Sequence, residues 1–327
     1  MIRLSTDETR TALVGAAAVA LAATLPLFDQ GFYLTLSVNI MLYAALCTAW
    51  TLFSGPTHYI SLATAAFFGL GTYAVALGID LVAFPILVAA GGAVAALLAG
   101  LVGAATLRIS GVYFVIFTFG LAELVRQIVS WTQIKLGARM GLYIFTDFTE
   151  SHIYWMLLAL TVVIFIVGWL ISRSRLGFAM QIIGNDEEVA RHSGIDTARL
   201  KIILFMISGA FIGMAGAILA PRYSYVEPPG AFNPMISFLV VVMALLGGMR
   251  RLWGPLVGVI PFTIVMEFVS ARFPNDSSIV IGITFLVIVY ALPNGVTGRL
   301  EQLLARIQRT RTASGSVGIA VSAKEHA

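Results

Sequence analysis

The sequence predicts an all-α membrane protein that crosses an inner membrane many times. Three observations predict it. Apolar residues make up 59% of the 327 and charged residues only 11%, against roughly 25% charged in an ordinary soluble domain. The apolar runs are continuous rather than one-sided stripes, so the helices they form have no face suited to water. The basic residues sort to one side once the runs are threaded through a bilayer.

A spanning helix needs about 20 apolar residues, and ten segments meet or approach that length. They are Thr11–Phe28, Phe32–Phe53, Tyr59–Gly78, Leu81–Leu107, Val112–Trp131, His152–Ile171, Arg199–Pro221, Phe232–Met249, Trp253–Ala271 and Ser278–Pro293. With the N-terminus in the cytoplasm, fifteen of the 20 basic residues fall on that side. Only Arg126, Lys135, Arg139, Arg222 and Arg272 fall on the other. Short basic loops stay cytoplasmic, so both termini are expected inside. The first segment, with Arg3 and Arg10 ahead of Ala20-Leu21-Ala22, also resembles a cleavable signal. Asp7 and Glu8 and the length of the run favour its retention. Residues 1–307 form one transmembrane domain, and 308–327, small and polar, read as a disordered cytoplasmic tail.

Glycines recur at spacings that let helices approach. Gly209, Gly213 and Gly216 share a face, Gly254 and Gly258 form a G-x-x-x-G pair, and packing is the default reading for both. For Gly69/Gly71 and Gly247/Gly248 a moving gate competes with packing. Glu123 and Arg126 lie three apart in the fifth span and are placed to pair, while Glu267 lies towards the outer end of the ninth. Both carboxylates read either as clasps between helices or as contacts to a solute.

An enzyme would need a nucleophile with its base, a metal cluster or a cofactor motif, and none is present. Cys47 is the one cysteine, and His58, His152, His192 and His326 have no metal-ligand neighbours. None of the three lysines, Lys135, Lys201 and Lys324, follows a glycine as a phosphate-binding loop requires. No cofactor and no metal are expected on this chain. An ion-coupled carrier usually carries several intramembrane carboxylates, and Glu123 and Glu267 are a thin set for one. That class stays open as an alternative.

The one long cytoplasmic loop, 172–198, separates these options. Asn185-Asp186-Glu187-Glu188 supplies an N-cap with a glutamate three positions later, and Gly194 supplies a stop, which predicts a short helix Asp186–Ser193. Such a helix is too short to stand alone. It docks either on the protein's own surface or in the groove of a cytoplasmic partner.

At this loop the residues carry a resemblance. Gly177, Ala179, Ile183, Glu187, Ala190, Gly194 and Ile195 match the coupling segment of ABC importer permeases, in particular the branched-chain amino acid permease family of the LivM type. Three further blocks resemble that family in the right order: Ser54–Tyr73 (SGPTHYISLATAAFFGLGTY), Gly111–Glu123 (GVYFVIFTFGLAE) and Leu246–Gly258 (LGGMRRLWGPLVG). Glu267 also stands where the family commonly has a glutamate.

The resemblance implies a vitamin-uptake-like (type II) bundle that works beside a second, LivH-like permease. Two cytoplasmic ATPases holding ATP and Mg, a periplasmic solute-binding protein and the lipid bilayer complete its expected partners, and no nucleic acid is among them. It implies an ATPase-coupling site at Gly177, Asn185, Asp186, Glu187, Glu188, Val189, Ala190, Arg191 and Gly194. Glu187, Glu188 and Arg191 are expected on its polar face, with Val189 and Ala190 nearer the groove. It implies a translocation path near Ser61, Thr64, Phe67, Phe68, Gly69, Gly71, Tyr113, Thr118 and Glu123. The expected solute is a branched-chain or other hydrophobic amino acid. Departures at Pro56, His58, Ala63-Thr64 and Gly248-Met249-Arg250-Arg251 leave urea, amides or aromatic carboxylates as alternatives.

Overall fold

The computed structural model describes residues 15, 19–24, 26, 31–107, 111–135, 141–249, 251–273, 279 and 282–283. Two expected spans, Thr11–Phe28 and Ser278–Pro293, and the tail 308–327 lie wholly or largely outside them. Helices α1 (Phe32–Thr57), α2 (Thr64–Gly78), α3 (Phe84–Thr106), α4 (Val112–Lys135) and α5 (Glu150–Arg173) come first. Next come α6 (Arg175–Asn185), α7 (Glu187–His192) and α8 (Thr197–Leu219), then α9 (Pro228–Ala231), α10 (Pro234–Gly247) and α11 (Gly254–Arg272). Among the described residues, seven helical stretches are long and apolar enough to cross a membrane, and α2 is a shorter apolar helix. A two-residue ribbon pairs β1 (Leu142–Tyr143) antiparallel with β2 (Tyr225–Val226) in an otherwise helical fold. No alternation in the sequence announced it.

Helix α8 is the centre of the bundle and packs on α1, α2 and α3. Lipid tails are as apolar as leucine, so such helices associate through close packing rather than through hydrophobic expulsion. The glycines provide that closeness. A Cβ on Gly71 would stand 1.8 Å from the Gly213 carbonyl oxygen, and one on Gly216 would stand 2.1 Å from that of Phe68. Gly69 lies against the Phe232 ring, and Gly247 against the backbone of Gly254. In this arrangement all of these glycines are packed in contact, including the pairs for which a gate competed.

The expected span Tyr59–Gly78 is helical only from Thr64. Helix α1 ends on His58, whose φ of 59° is left-handed, and the chain then folds back along α1. At 15 residues α2 reaches only about 22 Å, short of the ~30 Å of hydrocarbon. Tyr59 and Ile60 of the unwound stretch are half-buried and Ser61, Leu62 and Ala63 buried, and side chains satisfy its backbone. Trp50 Nε1 donates to the Ser61 carbonyl (2.8 Å), the Leu62 N–H donates to Thr118 Oγ1 (3.0 Å), and Ser237 Oγ donates to the Leu62 carbonyl (2.8 Å). Ser237 Oγ also accepts from the Ala65 N–H at 2.8 Å. Non-helical backbone at this depth is tolerated only where protein supplies such partners.

The segment 172–198 is not a loop with one short helix but two helices in series. Ser174 caps α6 by accepting from the Gly177 N–H, and Met180 and Ile183 turn inward. The cap of α7 is Asp186, one residue later than expected, because Asn185 completes α6. Its carboxylate accepts from the N–H groups of Glu188 and Val189.

If backbone contact between glycines holds α2, α3 and α8 together, Gly213→Val should destabilise the protein by about 1–3 kcal/mol or more. Gly120→Ala, where an added Cβ meets nothing within 4 Å, should be near neutral. Thermal melting of the two variants in detergent checks this.

Candidate functional site

The second helix of the segment is built around one buried charge. Lys201 lies in the first two turns of α8 with 1% of its surface exposed, where an isolated ammonium would cost several kcal/mol. Its Nζ donates to Glu187 Oε1 (2.8 Å), to the Leu107 carbonyl (3.1 Å) and to Tyr59 Oη (3.2 Å). It also stands 4.5 Å from the centre of the Tyr59 ring. All three ammonium protons therefore have an acceptor. One helical turn deeper, Phe205 meets Phe53, Phe67 and Phe114, with ring centres 4.8 to 6.1 Å apart.

Glu187 is the other half of the pair. It accepts from Lys201, from Tyr59 Oη (3.0 Å), from Thr197 Oγ1 (3.2 Å) and from Arg191 (2.9 Å). Burial by itself raises the Glu187 pKa, but the hydrogen bond and charge of Lys201, with help from Tyr59 and Arg191, outweigh it and hold the carboxyl at about 2. The turn at Gly194 brings these groups together. Its φ of 79° is cheap only for glycine, and the N–H groups of Gly194 and Ile195 close the end of α7 onto the carbonyls of Arg191 and Ala190.

The expected coupling residues consequently face two ways. Glu187 and Ala190 turn into the protein's own bundle, so neither carries the outward face. Glu188, Val189, Arg191 and His192 are exposed, Val189 by 53% and Phe178 of α6 by 68%. Gly177 packs against the Ile171 carbonyl at the α5–α6 corner. At the far end of α6, the Gly184 carbonyl lies 2.8 Å from His58 Nδ1. His58 is thus a clasp between α1 and α6.

The residues expected along a path do not share one surface. Ser61, Thr64, Phe67, Phe68, Gly69, Gly71 and Thr118 are buried in the core. Tyr113 and Glu123 lie on the exposed side of α4. Glu123 pairs with Arg126 and accepts from Gln127 as well (3.0 Å). No motif in the sequence marks Lys201 or Tyr59. Lys201 falls among the cytoplasmic-side basic residues, although its place inside an apolar run signals a buried partner.

The match to known proteins covers most of the chain. The family model described as branched-chain amino acid transport system, permease component, matches residues 32–289. The high-affinity branched-chain amino acid transport system permease protein LivM of Escherichia coli is 26% identical over 86% of this chain and 73% of its own length. LivH of the same organism is 29% identical over 40% of this chain and 42% of its own. The autoinducer 2 import system permease protein LsrC of Klebsiella pneumoniae is 30% identical over 49% and 46%. No solved structure matches.

Removing the Glu187 carboxylate strands a buried ammonium, so Glu187→Gln should cost about 3–5 kcal/mol, towards the lower end because the side chain keeps some water contact. Adding Lys201→Met should recover much of the loss, and melting curves of the single and double variants decide it. A carboxyl whose pKa is depressed stabilises the fold fully above its unfolded value and loses that contribution as pH falls through its folded value. Hydrogen exchange across α7 should therefore stay protected from pH 7 to about 4.5 and loosen progressively towards about 2.

Proposed function

Because the chain belongs to the family of permease components of branched-chain amino acid transport systems, we propose that it is the membrane-spanning subunit of an ATP-driven importer. Its proposed solute is a branched-chain or other hydrophobic amino acid delivered by a periplasmic binding protein. In this reading the bundle has ten spans of the type II kind, with both termini in the cytoplasm. ATP and Mg are bound and used on two separate ATPase subunits. The observation that carries the reading is the α6–α7 segment. It is too polar to span, it is pinned to α8 through Glu187 and Lys201, and it still presents Phe178, Glu188 and Val189 to the outside. A helix held rigidly on its inner side and exposed on its outer side transmits force from a partner rather than absorbing it.

Helix α4 supports a second permease. It is the least enclosed of the seven apolar stretches, and the Glu123–Arg126 pair lies near its middle on a partly exposed face. Charge at that depth is costly against lipid, so a polypeptide neighbour is the better cover. The pairing also weighs against an ion-coupled carrier, whose carboxylate must be free to exchange its ion.

Reconstituted with its ATPases, its partner permease and its binding protein, the chain should take up L-leucine only with ATP. An imposed proton or sodium gradient should drive none. Uptake on such a gradient would overturn the assignment. Val189→Asp, at an exposed position, should leave the melting temperature unchanged and cut both ATP-driven uptake and uptake-linked ATP hydrolysis by at least about tenfold, one such factor being about 1.4 kcal/mol of lost coupling.

A further inference from the structure

At the end of the bundle opposite the coupling segment lies a cavity of about 280 Å³, the lower edge of the usual range for small-molecule sites. It opens between α1, the end of α8 and α11. Asn39 lines it and His58 meets the coupling segment, and along α1 those two residues are about 28 Å apart. The cavity and the coupling contact thus sit at opposite faces of the membrane.

Two opposite charges stand on the cavity wall with one amide between them. Arg222 donates to Asn39 Oδ1 at 2.7 Å, and Asn39 Nδ2 donates to Glu267 Oε2 at 3.3 Å. The Nε of Arg222 faces Glu150 Oε1 at 3.5 Å, and Glu150 is held in turn by Thr35 (2.8 Å). Five N–H donors on a planar fork suit a carboxylate, and a glutamate beside them suits an ammonium. Leu42, Leu219 and Met266 line the same cavity and give it an apolar wall. Thr263 adds an independent observation. It lines the cavity, is 2% exposed, and its Oγ1 has no hydrogen-bond partner. A buried hydroxyl left unpaired is destabilising, and a guest with a polar group would relieve that.

We propose that this cavity is a binding site on the permease itself for a zwitterionic α-amino acid with an aliphatic side chain. Arg222 takes the carboxylate, Glu267 takes the ammonium, Thr263 adds a hydrogen bond, and Leu42, Leu219 and Met266 hold the side chain. The inference rests on the importer reading and narrows its solute, because urea carries neither charge and an aromatic carboxylate lacks the ammonium.

The test uses the full chain in nanodiscs. Cys47 is buried, so Cys47→Ala with Tyr223→Cys gives one reporting thiol at the cavity, where Tyr223 is exposed. Cys47→Ala with Met266→Cys is the second reporter, in case the first fails to fold. A charged, membrane-impermeant methanethiosulfonate should label either thiol, and L-leucine should slow labelling at least about threefold. 4-Methylpentanoate, which lacks the ammonium, and isoamylamine, which lacks the carboxylate, should not. Equal protection by either analogue overturns the zwitterion assignment, and no protection by L-leucine in either reporter overturns the site. In the reconstituted complex, Thr263→Val removes no hydrogen bond made within the protein, so it should raise KM for L-leucine about three- to tenfold with kcat unchanged. An unchanged KM argues against the contact. Labelling needs no ATP, so a complex that fails to import amino acids overturns the importer reading separately.

Discussion

The ammonium of Lys201 is the constraint from which the rest of the α6–α7 end of the bundle follows. A lysine at the head of an aromatic cluster requires an anion, three acceptors and exclusion of competing water. Tyr59, the Leu107 carbonyl and Glu187 meet that requirement from three separate stretches of chain. The ion pair sets where α7 lies and which way it faces. Because Glu187 is held inside, the neighbouring exposed residues project outward from a helix of only six residues, which would otherwise have no stable orientation.

The unwound stretch before α2 obeys a related rule. Backbone at membrane depth needs partners from within the protein, and here Trp50, Thr118 and Ser237 reach it from three different helices. The segment is consequently a structural joint between α1, α4 and α10. Its burial also explains why Ser61 and Thr64 are separated from Tyr113 and Glu123, which the family resemblance had grouped. The same helix, α4, offers Thr118 to the core on one side and Glu123 to the outside on the other.

The spans that fall on the described residues were legible because hydropathy is a sum over about twenty residues, and small local errors cancel in such a sum. Boundaries and breaks were less so. Nothing in the composition of residues 59–63 marks them as unwound, since Ile60, Leu62 and Ala63 are as apolar as the helix that follows. The break arises from a left-handed turn at His58 and from hydrogen bonds to residues as far off as Ser237. The α7 helix was read from its capping chemistry to within one residue, whereas its inner and outer faces were not. Glu187 and Glu188 are neighbours of identical type, and only the fold around Gly194 decides which of them meets Lys201. The same holds for Asn39, Arg222 and Glu267, which lie far apart in sequence and share no motif.

Helix α8 joins the two ends of the molecule. Lys201 in its first turns holds α7, and Leu219 at its last position lines the cavity, with Arg222 one turn beyond. Between them Gly209, Gly213 and Gly216 bring the α8 backbone against α2 and α3 with no side chain to yield. A helix clamped in that way cannot bend on its own, because interiors packed at that density shift between discrete arrangements rather than deforming smoothly. In the importer proposed above, force applied at α7 would therefore move α2, α3 and α8 together. Helix α4 is the least enclosed of the described apolar helices. In that importer its exposed side is the one that would meet a second permease, while the far end of α8 carries Leu219 and Arg222 to the cavity.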